Sequence, residues 1–289
     1  MRATRNFGQA IGVAASISMV VSVPYAGAQE AGECPAVEIV ATRGTMEDSV
    51  GPQQYGDAQS NGFEGDTLSR FFRYMEQRHG IEVFDEVAVT GVSEGAYRAE
   101  PELPQEVIHP AENEDRFTAA TRLILEQGSI STVIEPFMSF LRSVFDGENT
   151  IPKAMNAEHN QQGCDPGIIL VGYSQGAMVL QPYEEQLAQE GKLIGSLMLG
   201  NPELKLGHAD AGQPQHSGGL FALSSAPPQQ IAPRYEYCKR NDFVCDTSAD
   251  VSGGIDMHLS YFDPELPYDS NDEAAADMVA QWVETAKTN

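Results

Sequence analysis

The chain has 289 residues, with 17 Lys and Arg against 42 Asp and Glu, which gives a formal net charge of −25. This acidic excess excludes a nucleic-acid binder that neutralises phosphates, because such a protein needs clustered Lys and Arg. It also argues against docking on an anionic lipid surface through a basic patch. Since 41% of the residues are hydrophobic and occur in periodic runs, we expect a folded chain.

Residues 1–28 are predicted to be a secretory signal peptide. Arg2 and Arg5 form a short positive region, an apolar stretch follows, and an Ala-Gly-Ala cleavage site ends at Ala28. An uncleaved anchor is the alternative, although the apolar stretch is short for a membrane span. Cleavage would leave one domain over residues 29–289 with a charge of −27, secreted or held in the cell envelope.

Strands and helices alternate along the rest of the chain. The apolar pattern predicts strands at residues 36–41, 83–90, 168–171, 193–199 and 234–238. It predicts helices at residues 66–75 with Asp66 as N-cap, at 117–145 in one or two pieces, at 177–188 with a break near Pro182, and at 274–286. An acidic, proline-containing stretch occupies residues 91–115. This alternation is typical of the α/β class, with a mostly parallel sheet and helices on both faces.

The four cysteines are Cys34, Cys164, Cys238 and Cys245. An even number in an exported chain predicts two disulfides, for which three connectivities exist. Cys238 and Cys245 lie in one short polar loop and are the expected local pair, which leaves Cys34 to pair with Cys164. A zinc site is the competing interpretation, but the sequence has no C-x2-C pair.

The pattern G-x-S-x-G occurs twice, around Ser93 and around Ser174. A nucleophile elbow needs a strand before the serine and a helix after it. Both serines follow a predicted strand, but only Ser174 precedes a predicted helix. Glu94 would also place a carboxylate beside a developing oxyanion. We therefore predict Ser174 as the nucleophile and Ser93 as part of an ordinary turn.

A serine nucleophile needs a histidine base, and three histidines follow Ser174. His208 and His216 lie in a loop that contains glycine and proline, so we expect both to be solvated. His258 follows a glycine-rich segment and precedes a short apolar run. It is the candidate base, and a buried structural histidine is the alternative.

The base in turn needs an orienting carboxylate. Asp242 meets this need, because a Cys238–Cys245 bridge would clamp the loop that holds it. The rival acids, which we expect to be mostly solvated, are Asp246, Asp250 and Asp256.

Several of these segments together resemble a known family. They are Cys34-Pro35, Ala41 to Thr45, Cys164 ahead of Gly172 to Ala177, Asn241-Asp242 between Cys238 and Cys245, and His258 to Tyr261. In this order they resemble the cutinases, and more closely the cutinase-like serine esterases of the actinobacterial cell envelope. The resemblance spans residues 34–262.

The resemblance implies an α/β-hydrolase fold, a three-layer sandwich, and it supports the two disulfide pairings given above. It implies Ser174 as nucleophile, Asp242 as triad acid and His258 as base. The oxyanion hole would use the backbone N–H of Gln175 and the N–H, with or without the hydroxyl, of Thr45.

The expected activity is that of a secreted serine esterase on lipid or polyester acyl bonds, with envelope lipids and thioesters among the candidate substrates. We expect no metal, no cofactor, no nucleic-acid partner and no stable membrane insertion, and we expect a monomer. One alternative is an acyltransferase that moves the acyl chain to a sugar alcohol. Another is a non-catalytic envelope-binding protein on a hydrolase scaffold.

The chain departs from the compact fungal members of that family before Ser174, where residues 91–160 hold extra length. We hypothesise that part of Ile130 to Phe145 borders or covers the acyl site as a lid. Apolar residues at helical spacing are more often core, which is the alternative.

Overall fold

The computed structural model describes residues 34–100, 130–212, 217–223, 233–249 and 251–288. The predicted signal peptide, the first part of the helix prediction at 117–145, His216 and Asp250 lie outside these ranges. Within the described ranges, no helix is both long and apolar enough to cross a membrane.

A six-stranded parallel sheet forms the centre of the fold. The strands in the described part of the chain, six of which form this sheet, are β1 (Val37–Thr42), β2 (Gln54–Tyr55), β3 (Ala58–Gln59), β4 (Val87–Gly91), β5 (Gly167–Tyr173), β6 (Leu193–Leu199), β7 (Ala211–Gly212) and β8 (Arg234–Cys238). The sheet order is β4-β1-β5-β6-β8-β7, and each neighbouring pair is parallel. The short strands β2 and β3 form a separate antiparallel pair.

Helices cover both faces of this sheet. They are α1 (Gly65–His79), α2 (Ile130–Gln162), α3 (Gln175–Val179), α4 (Gln181–Glu190), α5 (Val251–His258) and α6 (Ser270–Lys287). Phe71 of α1 and Trp282 of α6 belong to the apolar cluster on one face. Ile151 of α2, Val179 of α3 and Leu187 of α4 belong to the cluster on the other. The predicted three-layer α/β architecture is confirmed.

The central strands are apolar throughout because both of their faces are buried. In β1, Ile39 packs into the cluster of α1 and α6, and its neighbour Val40 packs into the cluster of α2 to α4. Successive strand residues point to opposite faces, so each one serves a different layer. The prediction of a helix restarted near Pro182 is also confirmed, because α3 ends at Val179 and α4 begins at Gln181.

The predicted start of one strand and the predicted N-cap of the first helix are wrong. The strand predicted from residue 83 begins only at Val87, since Val83 and Phe84 lie in a 3₁₀ helix over Ile81–Phe84. Both side chains are buried in the same core as the strand, and a short apolar run alone does not distinguish the two conformations. Asp66 is not an N-cap. It lies in the first turn of α1, where its charge favours the helix N-terminus.

The helix predicted to end at Phe145 continues to Gln162, through Pro152. Buried Ile151 and Met155 lie beyond the predicted end, and their packing against the sheet outweighs the poor local helix propensity. Helix α5 was not expected from the sequence, because Gly253 and Gly254 are weak helix formers.

Two disulfides join distant and local parts of the chain. Cys34 pairs with Cys164 over a separation of 130 residues, with 5.5 Å between the Cα atoms. This bridge connects the segments that enter β1 and β5, which are neighbours in the sheet. Cys238 pairs with Cys245 over a separation of 7 residues and closes the loop that follows β8. Among the described residues, every cysteine is paired.

We predict that the two bridges contribute unequally to stability. In the chain-entropy model, Cys34→Ser with Cys164→Ser lowers the free energy of unfolding by about 5 kcal/mol, and Cys238→Ser with Cys245→Ser lowers it by about 2.5 kcal/mol. Urea unfolding of the two double variants under oxidising conditions measures both values. A larger loss for the short bridge would contradict the model.

Candidate active site

Ser174 lies on a tight turn between β5 and α3. Its backbone has φ 55° and ψ −124°, a positive φ that is rare outside glycine. The Ser174 amide donates to the Leu199 carbonyl at 2.8 Å, which holds the turn against the end of β6. Gly176 is required at its position, because a Cβ there would lie 2.1 Å from the Thr42 carbonyl oxygen. The turn has the geometry expected of a nucleophile elbow.

Three buried side chains form a relay that starts at this turn. His258 Nε2 lies 2.9 Å from Ser174 Oγ, and His258 Nδ1 lies 2.8 Å from Asp242 Oδ2. The exposed fractions are 8% for Ser174, 5% for His258 and 0% for Asp242. Because an ionised carboxylate only accepts hydrogen bonds, Nδ1 carries the proton and Nε2 faces the serine as an acceptor. The structure thus brings together the three residues predicted from the sequence.

The loop after β8 holds Asp242 in place. The Cys238–Cys245 bridge closes this loop, and the Val244 amide donates to Asp242 Oδ1 at 2.8 Å. Of the rival acids, Asp246 accepts from the Ser217 and Ser248 amides instead. Asp256 is exposed to solvent.

The end of α5 carries His258, and the elbow strand supports it. The hydroxyl of Tyr173, the residue before Ser174, donates to the His258 carbonyl at 2.8 Å. The Tyr173 ring stacks on the imidazole at 5.0 Å and 26°. His208, in contrast, is exposed in a loop, as expected.

The loop after β1 carries Thr45, the oxyanion donor predicted from the sequence. The Thr42 hydroxyl donates to the Gly176 carbonyl at 2.9 Å and joins this loop to α3. Glu47 closes the loop, since its carboxylate accepts from the Gly44 amide at 2.7 Å and from the Thr67 amide at 2.8 Å. Burial raises the pKa of Glu47 above its ordinary value. Thr45 itself is half-buried in this turn, and its role stays a prediction.

The second G-x-S-x-G segment, around Ser93, contacts the loop after β1 and has a structural role. Ser93 lies in a turn, where its carbonyl accepts from the Ala96 and Tyr97 amides. The buried guanidinium of Arg43 donates to the carbonyls of Val92 at 3.0 Å and of Tyr97 at 3.1 Å. Burial lowers the pKa of Arg43. The segment around Ser93 therefore supplies acceptors for Arg43 and joins the loops after β1 and β4.

Both polar atoms of the Gln175 side chain form hydrogen bonds, and their partners are residues other than Ser174. Tyr97 donates its hydroxyl proton to Gln175 Oε1 at 2.9 Å. Gln175 Nε2 donates to the carbonyls of Glu100 at 3.1 Å and Phe140 at 3.2 Å. This leaves the backbone N–H of Gln175, at the start of α3, as the group available to an oxyanion, while its side chain anchors α2 beside the site.

Aromatic side chains extend from α2 towards the loop of Asp242. The Phe221 ring stacks on Phe140 at 5.4 Å and on Phe137 at 6.4 Å. The neighbouring Leu220 amide donates to the Val244 carbonyl at 3.0 Å, two residues beyond Asp242. Phe137 is 48% exposed. An apolar surface thus connects the Gln175 side of the site to its Asp242 side.

Sequence reasoning assigned no role to two neighbours of the relay. Tyr261 donates its hydroxyl proton to Asp242 Oδ2 at 2.9 Å. Gly200 follows β6 with φ 56°, and a Cβ there would lie 2.8 Å from His258 Cε1. The available signals were a tyrosine three residues after the base and a glycine at the end of a predicted strand. In the described part of the chain, no group of three or more His, Cys, Asp or Glu is placed to hold a metal ion.

Comparison with known proteins agrees with the fold. The family model described as Cutinase matches residues 139–281, which include Ser174, Asp242 and His258. A cutinase-like protein from Cryptococcus sp. is similar in structure, with a TM-score of 0.50, 19% identity, and coverage of 88% of this chain and 95% of that chain. The catalytic core domain of acetyl xylan esterase from Trichoderma reesei has a TM-score of 0.49 and 17% identity, with coverage of 88% and 100%. No curated protein matches the chain.

The resemblance to the cutinases is therefore confirmed by the family match. The structural neighbour from Cryptococcus sp., at 19% identity, shows the fold alone. The actinobacterial cell-envelope branch stays a prediction.

We predict that Ser174 is reactive only if residue 200 has no side chain that would displace the His258 ring. In Gly200→Ala, the new Cβ would push His258 away, and a displacement of about 1 Å costs a reaction about 100-fold. The rate at which a fluorophosphonate modifies Ser174 should fall by about this factor. Gly207→Ala is the matched control, because Gly207 also has a positive φ, 73°, but a Cβ there would have no atom within 4 Å. Equal labelling rates in the two variants would refute the steric account.

Proposed function

We propose that this chain, whose residues 139–281 match the Cutinase family, is a serine esterase that hydrolyses carboxylic esters through an acyl-enzyme. The observation that carries the proposal is the buried relay from Ser174 through His258 to Asp242, with distances of 2.9 Å and 2.8 Å, at the start of α3. A serine, a base and an orienting acid in hydrogen-bond contact are the arrangement that activates a hydroxyl for acyl transfer.

In the first half of the reaction, Ser174 Oγ attacks the ester carbonyl and His258 Nε2 takes its proton. Asp242 keeps the other imidazole proton on Nδ1 and stabilises the charged ring. The tetrahedral intermediate then breaks its bond to the alcohol, which leaves with the proton from His258. In the second half, a water molecule gives a proton to His258 and attacks the acyl group, and Ser174 is released as the hydroxyl.

The negative oxygen of the tetrahedral intermediate needs N–H donors. The backbone N–H of Gln175 is one proposed donor, and the N–H or hydroxyl of Thr45 is the other. The Arg43 and Glu47 contacts described above support this role, since they hold the Thr45 loop before substrate arrives. Each such donor is worth about 3 kcal/mol in comparable sites.

The proposed substrates are uncharged at the face that meets the enzyme. A net charge of −25 repels anionic lipid surfaces, so binding depends on local apolar contacts near Ser174. Lipid or polyester esters meet this condition. The two disulfides support an exported enzyme, because such bonds persist in oxidising compartments. We retain residues 1–28 as the proposed signal peptide.

The aromatic surface of Phe137, Phe140 and Phe221 is proposed to border the acyl site. The Phe140 carbonyl accepts from the Gln175 side chain, which places this part of α2 beside the elbow. The stacked rings then offer an apolar surface along which an acyl chain would lie. This is the part of the lid hypothesis that the contacts support.

We predict that Ser174→Ala lowers the hydrolysis of p-nitrophenyl butyrate by about 10⁴-fold or more, because the nucleophile is lost. Ser93→Ala is the matched control from the other G-x-S-x-G segment and should keep activity within about twofold, since the hydrogen bonds of Ser93 to other described residues are made by its backbone carbonyl. A fluorophosphonate should label wild type and Ser93→Ala but fail on Ser174→Ala. If labelling disappears only in Ser93→Ala, the nucleophile is Ser93 and the choice of Ser174 is wrong.

We predict that Phe137→Ser and Phe140→Ser change chain-length preference. Losing one aromatic contact should raise KM for p-nitrophenyl esters of eight to twelve carbons by about tenfold, with a change below about twofold for the acetate. Phe145→Ser is the control on the same helix, where the side chain is 66% exposed. An unchanged ratio of long-chain to short-chain kcat/KM in both test variants would remove the aromatic surface from the acyl site.

A further inference from the structure

We propose that Tyr261 is a positioning residue for the triad, whose buried hydroxyl holds Asp242 in the orientation that serves His258. The inference rests on the proposed esterase function. It adds to the relay a polar side chain that acts through Asp242 and does not touch the reacting atoms.

The hydroxyl of Tyr261 meets the same carboxylate oxygen as the base. It lies 2.9 Å from Asp242 Oδ2, the atom that lies 2.8 Å from His258 Nδ1. The Tyr261 oxygen accepts from the Lys239 amide at 2.7 Å. A phenol has one proton, so this oxygen can donate one hydrogen bond. Two other described acceptors, the Tyr237 carbonyl at 3.4 Å and the Cys245 sulfur at 3.8 Å, are more distant. The shorter contact therefore assigns the proton to Asp242.

Burial fixes the direction of this hydrogen bond. The Tyr261 side chain has no exposed surface, and burial raises its pKa well above the ordinary value for tyrosine. The phenol therefore stays protonated at any pH at which the protein would work, and it remains a donor. An ionised Asp242 has no proton to return, so the phenol is the donor and the carboxylate the acceptor.

Two donors on different oxygens prevent the carboxylate from rotating. Asp242 Oδ1 accepts from the Val244 amide, and Oδ2 accepts from Tyr261 as well as from His258. The Tyr261 ring is itself packed edge-on against Tyr237 at 5.2 Å, which fixes the donor. Without the hydroxyl, Oδ2 would lose a donor that is independent of His258, the group that Asp242 has to orient.

The titratable and charged groups around the Tyr261 side chain come from four elements or loops. They are Tyr173 of β5, Tyr237 of β8, Lys239 and Asp242 of the loop after β8, and His258 of α5. The Lys239 ammonium lies over the ring at 5.8 Å, donates to the Ser260 carbonyl at 2.9 Å and lies 3.9 Å from Asp272 Oδ1. Asp242 is the carboxylate in direct contact with the hydroxyl.

The test compares Tyr261→Phe with Tyr237→Phe. Both variants remove a buried phenol proton from a carboxylate, because Tyr237 donates to Asp272 Oδ1 at 3.0 Å. Tyr237→Phe keeps the ring that packs against Tyr261. Tyr261→Phe should lower kcat for p-nitrophenyl butyrate by about tenfold, the loss expected for a hydrogen bond to a charged group, with KM within about twofold. Tyr237→Phe should lower Tm but leave kcat within about twofold.

The pH profile separates positioning from loss of packing. In Tyr261→Phe, Oδ2 keeps more of its negative charge for the imidazole, which favours the protonated ring. The acid limb of kcat/KM should then move to higher pH by about half a unit, and Tyr237→Phe should leave it in place. Tyr261→3-fluorotyrosine keeps the fold and makes the phenol a stronger donor, so its acid limb should move the other way.

Wild-type kcat and an unmoved acid limb in both Tyr261 variants would overturn the proposal. If Tyr261→Phe does not fold, the fluorotyrosine variant alone decides it. Failure of the esterase function itself looks different, because wild type would then hydrolyse no ester and no fluorophosphonate would label Ser174.

Discussion

Parallel pairing of β5, β6 and β8 is the constraint on which the site depends. Parallel strands present their carboxyl ends at one edge of the sheet, and a ligand site forms there in open α/β sheets. Ser174 follows β5, Gly200 follows β6, and Asp242 lies in the loop that follows β8. The relay is therefore assembled by strand register, and only His258 has to be delivered to it by a separate helix, α5.

The two sides of the relay are stabilised by different physics. On the Asp242 side, a covalent bridge and hydrogen bonds from Val244 and Tyr261 fix a buried carboxylate. On the Thr45 side, Arg43 and its carbonyl acceptors fix the loop that carries Thr45. Buried charge is costly unless it is hydrogen-bonded, so each side keeps its geometry as long as these partners are in place.

The disulfides lie at opposite ends of the sheet. Cys34 and Cys164 precede β1 and β5, at the amino ends of these strands, whereas Cys238 and Cys245 close the loop at the carboxyl end of β8. The long bridge restricts the unfolded chain without approaching the site. The short bridge restricts few conformations but closes the loop that holds Asp242. The long bridge thus acts mainly on stability, and the short bridge acts mainly on the geometry of the site.

Local pattern in the sequence determined much of this protein. The alternation of apolar runs predicted the parallel sheet and both helical layers, and the strand and helix around Ser174 distinguished it from Ser93. Asp242 and His258 were predicted because a loop between two cysteines and a histidine before an apolar run are visible in one dimension. The family match covers residues 139–281, a range that includes Ser174, Asp242 and His258.

Contacts between segments that are far apart in sequence were decided only by the tertiary structure. Helix α2 continues beyond Phe145 although the local helix propensity is poor. Tyr261 contacts Asp242, and the turn around Ser93 supplies acceptors for Arg43, although these partners are separated in sequence. Sequence periodicity reports which face of an element is apolar, but not which atom of another element it meets. Those contacts are set by strand register and by the burial of polar groups that must find a partner.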